Sequence, residues 1–164
     1  MKKVISSDTI PNKSIISGGF KRIDYLDSYM IEKETTYTID KLTTEVFRTP
    51  KWVNWLMKLR NSIVKLFGLK TDETIQESDY YPIGARAMGF PVINRNDNEI
   101  LMEEDDKHLI FRVSVLNDRK ESKIYVTTIV HYNNIGGKIY FFPVKFFHSI
   151  IVKSQLRRIL KMKG

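Results

Sequence analysis

The chain has 164 residues and carries 27 Lys and Arg against 19 Asp and Glu, a formal net charge of +8. That length suits one domain able to bury roughly 70% of its unfolded surface, and 42% hydrophobic with 12% aromatic residues excludes a disordered chain. Zero cysteines exclude disulfides and thiolate metal sites, and no apolar run reaches the roughly 20 residues of a membrane span. The opening MKKVISSDTIPNK lacks the continuous apolar stretch of a secretory signal, so a cytoplasmic protein is expected.

Residues 1–22 mix polar side chains with Pro11, Gly18 and Gly19. They read as a lead-in arm with little regular structure, draped over a single domain at 23–164. Residues 24–33, DYLDSYMIEK, form the first expected strand, with Tyr25, Asp27, Tyr29 and Ile31 on one side. Asp40 stands where an N-cap belongs, ahead of a short helix in KLTTEVFR. Thr49 and Pro50 repeat that signal before KWVNWLMKLRNSIVKLF, whose Trp52, Leu56, Leu59, Ile63 and Leu66 recur at helical spacing up to Gly68. Both tryptophans, Trp52 and Trp55, ride this second helix, as core or as the lining of a ligand cavity.

Residues 70–82 are polar and aperiodic and read as a loop. Residues 85–94 contain Gly89 and Pro91, marks of an edge strand or bulge, and 99–103 form a short apolar-centred run. The clearest strands are 108–117 and 123–133, flanking a hydrophilic loop of hairpin length. Symmetric closure puts Leu109, Phe111, Val113 and Val115 on one apolar face with Ile124, Val126, Thr128, Val130 and Tyr132. The opposite face gathers His108, Ile110, Arg112, Ser114 and Leu116 with Tyr125, Thr127, Ile129 and His131. That mixture is either solvent-facing or the wall of a partly polar hollow.

The last stretch, 134–163, organises the rest. Ile135, Ile139, Phe142, Phe146 and Ile150, widened by Phe147 and Ile151, make an apolar stripe that is expected to pack under a sheet. Pro143 leaves the phase unchanged, which favours one helix kinked there; a strand over 138–142 with a helix beginning at Pro143 is the alternative. Cations at Lys51, Lys58, Arg60, Lys65 and Lys70, and at Lys145, Lys153, Arg157, Arg158, Lys161 and Lys163, interleave with apolar positions. They read first as solvated helix faces and next as a surface for peripheral contact with anionic membrane; no nucleic-acid motif supports a nucleic-acid partner.

No motif of catalysis stands out, and no cofactor is implied. The run Glu103-Glu104-Asp105-Asp106 beside His108 alternates in direction along a strand and does not make a metal site. His108, His131 and His148 show no metal or nucleophile spacing. Gly136-Gly137 lacks the strand and further glycines of a phosphate loop.

The blocks TPKWVNWLMKLRNSIVKLFGL, EDDKHLIFRVSVL and TTIVHYNNIGGKIYFFPVKFFH, with the upstream DYLDSY, resemble the bacterial family known as domain of unknown function 2867 (DUF2867). That family in turn resembles the Bet v 1-like, START-like (SRPBCC) helix-grip superfamily. The resemblance implies an α+β fold: a curved antiparallel sheet wrapped around a long C-terminal helix, with two shorter helices after the first strand. It further implies a hollow that holds a hydrophobic small molecule or lipid. Its walls would be Trp55, Leu59, Phe111, Val113, Phe142 and Phe146, with Arg112 and His131 as polar anchors. Two other classes stay open. A cyclase, dehydratase or hydrolase would need His131, Arg112 or Tyr132 inside the hollow; an interaction module would show a filled core and an exposed apolar patch.

Overall fold

The computed structural model describes residues 3–48 and 77–163. Its centre is the hairpin of β6 (Leu109–Asp118) and β7 (Lys123–Tyr132), paired without interruption from Leu109↔Tyr132 to Asp118↔Lys123. β-Branched residues crowd both strands, and such side chains pack well on a pleated surface. Strand β2 (Tyr25–Glu32) pairs with the free side of β7, and β5 (Glu99–Asp105) with the free side of β6. Strands β1 (Ile5–Ser7), β3 (Arg86–Ala87) and β4 (Phe90–Arg95) complete a curved, antiparallel, seven-stranded sheet in the order β1-β2-β7-β6-β5-β4-β3. Both outermost strands are very short, which limits the unpaired edge available to another chain.

The irregularity expected at 85–94 is a tight turn. Met88 and Gly89, at φ 50° and 93°, reverse the chain between β3 and β4. Two successive residues at positive φ are what the type I′ form of a two-residue hairpin loop requires. Beyond it, the register with β5 slips between Val92 and Asn94. Two local expectations are corrected: the arm, expected to be irregular, contributes β1, and the first helix, α1 (Ile39–Phe47), is capped by Thr38, whose hydroxyl accepts the Lys41 amide. Asp40 lies two residues further on, in the first turn, and is committed elsewhere. Arg95 grips it with two hydrogen bonds of 2.6 and 2.9 Å, and the Tyr81 amide donates to it at 2.8 Å. The second expected helix, with Trp52, Trp55 and Leu59, lies outside the described residues.

The apolar face read from the hairpin faces the helices. Val113, Val115, Ile124 and Val126 join Tyr29 and Ile31 of β2, Ile39, Leu42 and Val46 of α1, and Val152, Leu156 and Ile159 of the C-terminal helix in the main core. A second cluster at the other end of that helix holds Leu109, Val130, Tyr140 and Phe141.

The arm covers much of the opposite face and leaves an open pocket of about 260 Å³ beside Ser28, Met30 and Tyr125. Ile10, Ile15, Ile16 and Phe20 pack on Leu26, Ile93, Leu101 and Ile129. The arm is also pinned by polar contacts. Fully buried Glu99 accepts from Ser14, from the Ile15 amide and from Ser114, while Lys13 reaches Asp118 at 2.7 Å. A buried carboxylate is tolerable only when so satisfied, so the arm belongs to the fold.

Helix α2 (Ile135–Lys161) is a single element that runs through Pro143, with Asn134 as its N-cap accepting the Gly137 amide. The expectation for its apolar stripe is overturned: Phe142 is 71% exposed and Phe146 65%, and Ile135, Ile139, Phe147 and Ile150 are exposed as well. The inward row is instead Tyr140, Phe141, Val152, Leu156 and Ile159. Gly137 decides the rotation. A Cβ placed there would stand 2.1 Å from the His108 carbonyl oxygen, so this turn can lie on the β6 entrance only where there is no side chain.

Candidate functional site

Two features of α2 stand out, one on each side. On the outside, residues 135, 139, 142, 146, 150, 153, 157 and 161 fall in one strip about 100° wide on a helix of 3.6 residues per turn. Its first five members are Ile135, Ile139, Phe142, Phe146 and Ile150; its last three are Lys153, Arg157 and Lys161. The strip is therefore apolar for about 22 Å of helix and cationic beyond. Lys145 lies beside the apolar part, its ammonium 4.9 Å from the Phe142 ring centroid. By length and composition alone α2 could cross a membrane, and 22% of its apolar 18-residue window is buried. A soluble monomer rarely leaves so large a contiguous apolar face open without a use for it.

At its cationic end the strip borders an open groove of about 330 Å³ lined by Ser154, Arg157, Arg158 and Lys161. Arg158 turns toward α1, where it meets Glu45 at 3.4 Å and donates to the carbonyls of Glu45 and Arg48. Burial pushes Glu45 upward, but Lys41 at 3.0 Å, Arg48 at 3.2 Å and Arg158 outweigh it and hold the carboxyl below its usual value. Arg157 and Lys161 have no acidic partner among the described residues.

Beneath the same helix, between the two apolar clusters, sits a polar group of side chains. Tyr25 donates to Asp27 Oδ2 at 2.6 Å, and His148 Nε2 lies 3.4 Å from that oxygen and 3.1 Å from Thr128 Oγ1. Phe111 meets the His148 ring edge-on at 5.8 Å, and Tyr29 donates to Ser149 at 2.9 Å. Burial first, then the hydrogen bond to Asp27, pushes the Tyr25 phenol well above its usual range; burial likewise raises Tyr29. Asp27 Oδ1 is buried without a hydrogen-bond partner among the described residues.

Of the eight residues expected to line a hollow, the six that are described do not converge. Phe111 and Val113 face the helices, Phe111 at the polar cluster and Val113 in the main core. Arg112 and His131 lie on the other face, Arg112 under the arm. Arg112 binds Glu103 at 2.7 Å and the carbonyls of Ile16 and Gly18, with the Phe20 ring 4.9 Å away, so its charge is satisfied within the fold. His131 Nδ1 lies 3.2 Å from Asp24 Oδ2. Asp24 itself is held below the usual carboxylate range, first by its hydrogen bond from Arg22. Phe142 and Phe146 point outward, and Trp55 and Leu59 fall outside the described residues. Sequence reasoning missed Tyr25, Asp27, Thr128 and His148 as a group. The available signal was Asp27, a lone carboxylate on the inward side of β2 between two tyrosines.

Among the described residues no three His, Cys, Asp or Glu side chains group closely enough to hold a metal. Neither the curated proteins nor the solved structures contain a match to the chain. The pattern of one family does match it, over residues 20–155, and covers both the polar cluster and all of the apolar strip. The chain belongs to that family, described as protein of unknown function (DUF2867).

Proposed function

We propose that this protein is a non-enzymatic module that docks on the surface of an anionic lipid bilayer through the outer strip of α2. The observation that carries the reading is the exposure of Ile135, Ile139, Phe142 and Phe146 in line with Lys153, Arg157 and Lys161. A helix that lies in the membrane interface sinks its apolar face about 5–10 Å into the boundary of headgroups and acyl chains, and lysines and arginines meet the anionic headgroups. The net charge of +8 adds long-range attraction to such a surface. Because its inner side is committed to the sheet, α2 lies on the bilayer and does not span it.

The chain has no cysteine, so Phe146→Cys gives a unique thiol for a polarity-sensitive dye. The dye should report water in buffer and shift to an apolar emission with vesicles of phosphatidylcholine and phosphatidylserine. Replacing Phe142 and Phe146 by Ser should weaken vesicle binding at least about tenfold, roughly 1.4 kcal/mol. An apolar signal already present in buffer would mean that the strip is covered by this chain or a second copy, and would overturn the reading; so would failure to bind vesicles.

A second reading, the one the helix-grip resemblance suggests, is a hydrophobic small molecule held between sheet and α2. Unpartnered Asp27 Oδ1, beside His148 and Tyr25 and flanked by apolar clusters, supports it, since such sites combine apolar walls with a few placed polar groups. Native mass spectrometry should then show a stoichiometric adduct that Asp27→Asn removes. A bare mass, with no adduct after incubation with extracted lipids and metabolites, counts against it.

A further inference from the structure

The cationic end of α2 goes further than a general attraction to anions. We propose that the groove lined by Ser154, Arg157, Arg158 and Lys161 is a site for a phosphate monoester, the headgroup of an anionic lipid in the bilayer on which the strip docks; this rests on the docking reading above. Three observations converge there. The groove lies in line with the apolar strip, so a headgroup can enter it while the acyl chains lie against Phe142, Phe146 and Ile150. Its charge is only partly offset: of the three lining cations Arg158 is paired with Glu45, whereas Arg157 and Lys161 have no acidic partner among the described residues. Its donors are of the matching kind. Arg157 offers a planar fork suited to two phosphate oxygens, Lys161 a mobile ammonium and Ser154 a hydroxyl, all within two turns of one helix.

The arrangement divides the labour between fixed and free cations. Arg158 is tied to Glu45 and to the carbonyls of Glu45 and Arg48, and it forms a fixed wall. Arg157 and Lys161 are exposed and can close on a ligand. A monoester carries roughly 1.5 to 2 negative charges at neutral pH, against about one for a phosphodiester, and two lining cations without an acidic partner favour the former.

The test uses the whole chain with three vesicle compositions at one ionic strength: phosphatidylcholine alone, with phosphatidylserine, and with phosphatidic acid at matched surface charge. Wild type should prefer phosphatidic acid. Arg157→Gln with Lys161→Gln, both at exposed positions, should lose that preference and bind about thirtyfold more weakly to phosphatidic acid, as expected for two surface cations. Phe142→Ser with Phe146→Ser should weaken binding to all compositions alike. If the double cation variant keeps its preference for phosphatidic acid, the groove is not the site, whereas the docking reading survives. If wild type binds no vesicle, docking fails and the lipid assignment falls with it. Inorganic phosphate separates the sources: a rise in melting temperature of wild type over matched chloride, absent in the double cation variant, without vesicle preference, overturns the lipid in favour of a free phosphate.

Discussion

Replacing Gly137 by Ala tests what orients α2. On propensity alone the change should help, by at most the roughly 1 kcal/mol that favours Ala over Gly in a helix interior, since Gly137 is in the first turn. The structure reverses the sign. The new Cβ would meet the His108 carbonyl oxygen at 2.1 Å and its carbon at 2.9 Å, and these are backbone atoms that no rotamer change can move. Relief requires the first turns of α2 to rise by about 1 Å, which loosens Leu109, Val130, Tyr140 and Phe141. Overpacking of that kind costs about 1–3 kcal/mol and occasionally more, so a net loss of about 2 kcal/mol is expected. Gly136→Ala is the control. The atoms nearest its Cβ would be side-chain atoms, Asn134 Oδ1 at 3.0 Å and His108 Nδ1 at 3.2 Å, which can shift a few tenths of an ångström at some cost to the cap, so its loss should be the smaller of the two. Urea denaturation followed by circular dichroism gives both values. A Gly137→Ala protein as stable as wild type, or more so, refutes the claim that this contact sets the rotation of the helix.

Asp40→Asn leaves the partly buried Arg95 with a weakened partner, the Tyr81 carbonyl and the Tyr80 ring, and should cost about 1–3 kcal/mol at pH 7. Burial raises the Asp40 carboxyl, but the Arg95 hydrogen bonds and the Tyr81 amide prevail and hold it below its usual value. The stability gained from a lowered carboxyl is present above its unfolded value and is lost as pH falls through the folded one. The gap between wild type and Asp40→Asn should therefore narrow in acid, and an equal gap at pH 7 and pH 3 would count against it. Ile16→Ala should destabilise by about 2–5 kcal/mol, because Ile16 is fully buried against Leu101 and Ile129. A loss below about 0.5 kcal/mol by the same denaturation assay would show that the arm merely rests on the sheet.

The parts of the fold that were legible in the sequence are those in which one local signal decides. Alternation over β6 and β7 was unambiguous, and it identified Val113, Val115, Ile124 and Val126 as one face. Pro91 and Gly89 marked the irregular edge. The rotation of α2 was not legible, because its first half is apolar on nearly every side. Periodicity picked out Ile135, Ile139, Phe142 and Phe146, while the His108 carbonyl beneath Gly137 selected Tyr140 and Phe141. Arg112 carried the same difficulty: nothing local reveals that Ile16 and Gly18, in an arm without periodicity, supply its acceptors. The pairing of Asp27 with His148 is likewise a product of tertiary packing, with one partner on the second strand and the other on the last helix.

The position of β2 has a consequence for the order of assembly. Its long pairing is with β7, and Ser28 and Thr127, which share a hydrogen bond across the two strands, are 99 residues apart. During synthesis β2 leaves the ribosome early and, with only the three-residue β1 to pair with, must wait for its main partner for almost the entire chain. The arm waits too, because Glu99 and Arg112, which fasten it, belong to strands made long after it. The β4 to β7 meander can form from neighbours in the chain, whereas β2 and then the arm close over it last, against the entropy of a long loop. Tyr25, Tyr29 and Ile31 are thus exposed to whatever the nascent chain meets until β7 arrives.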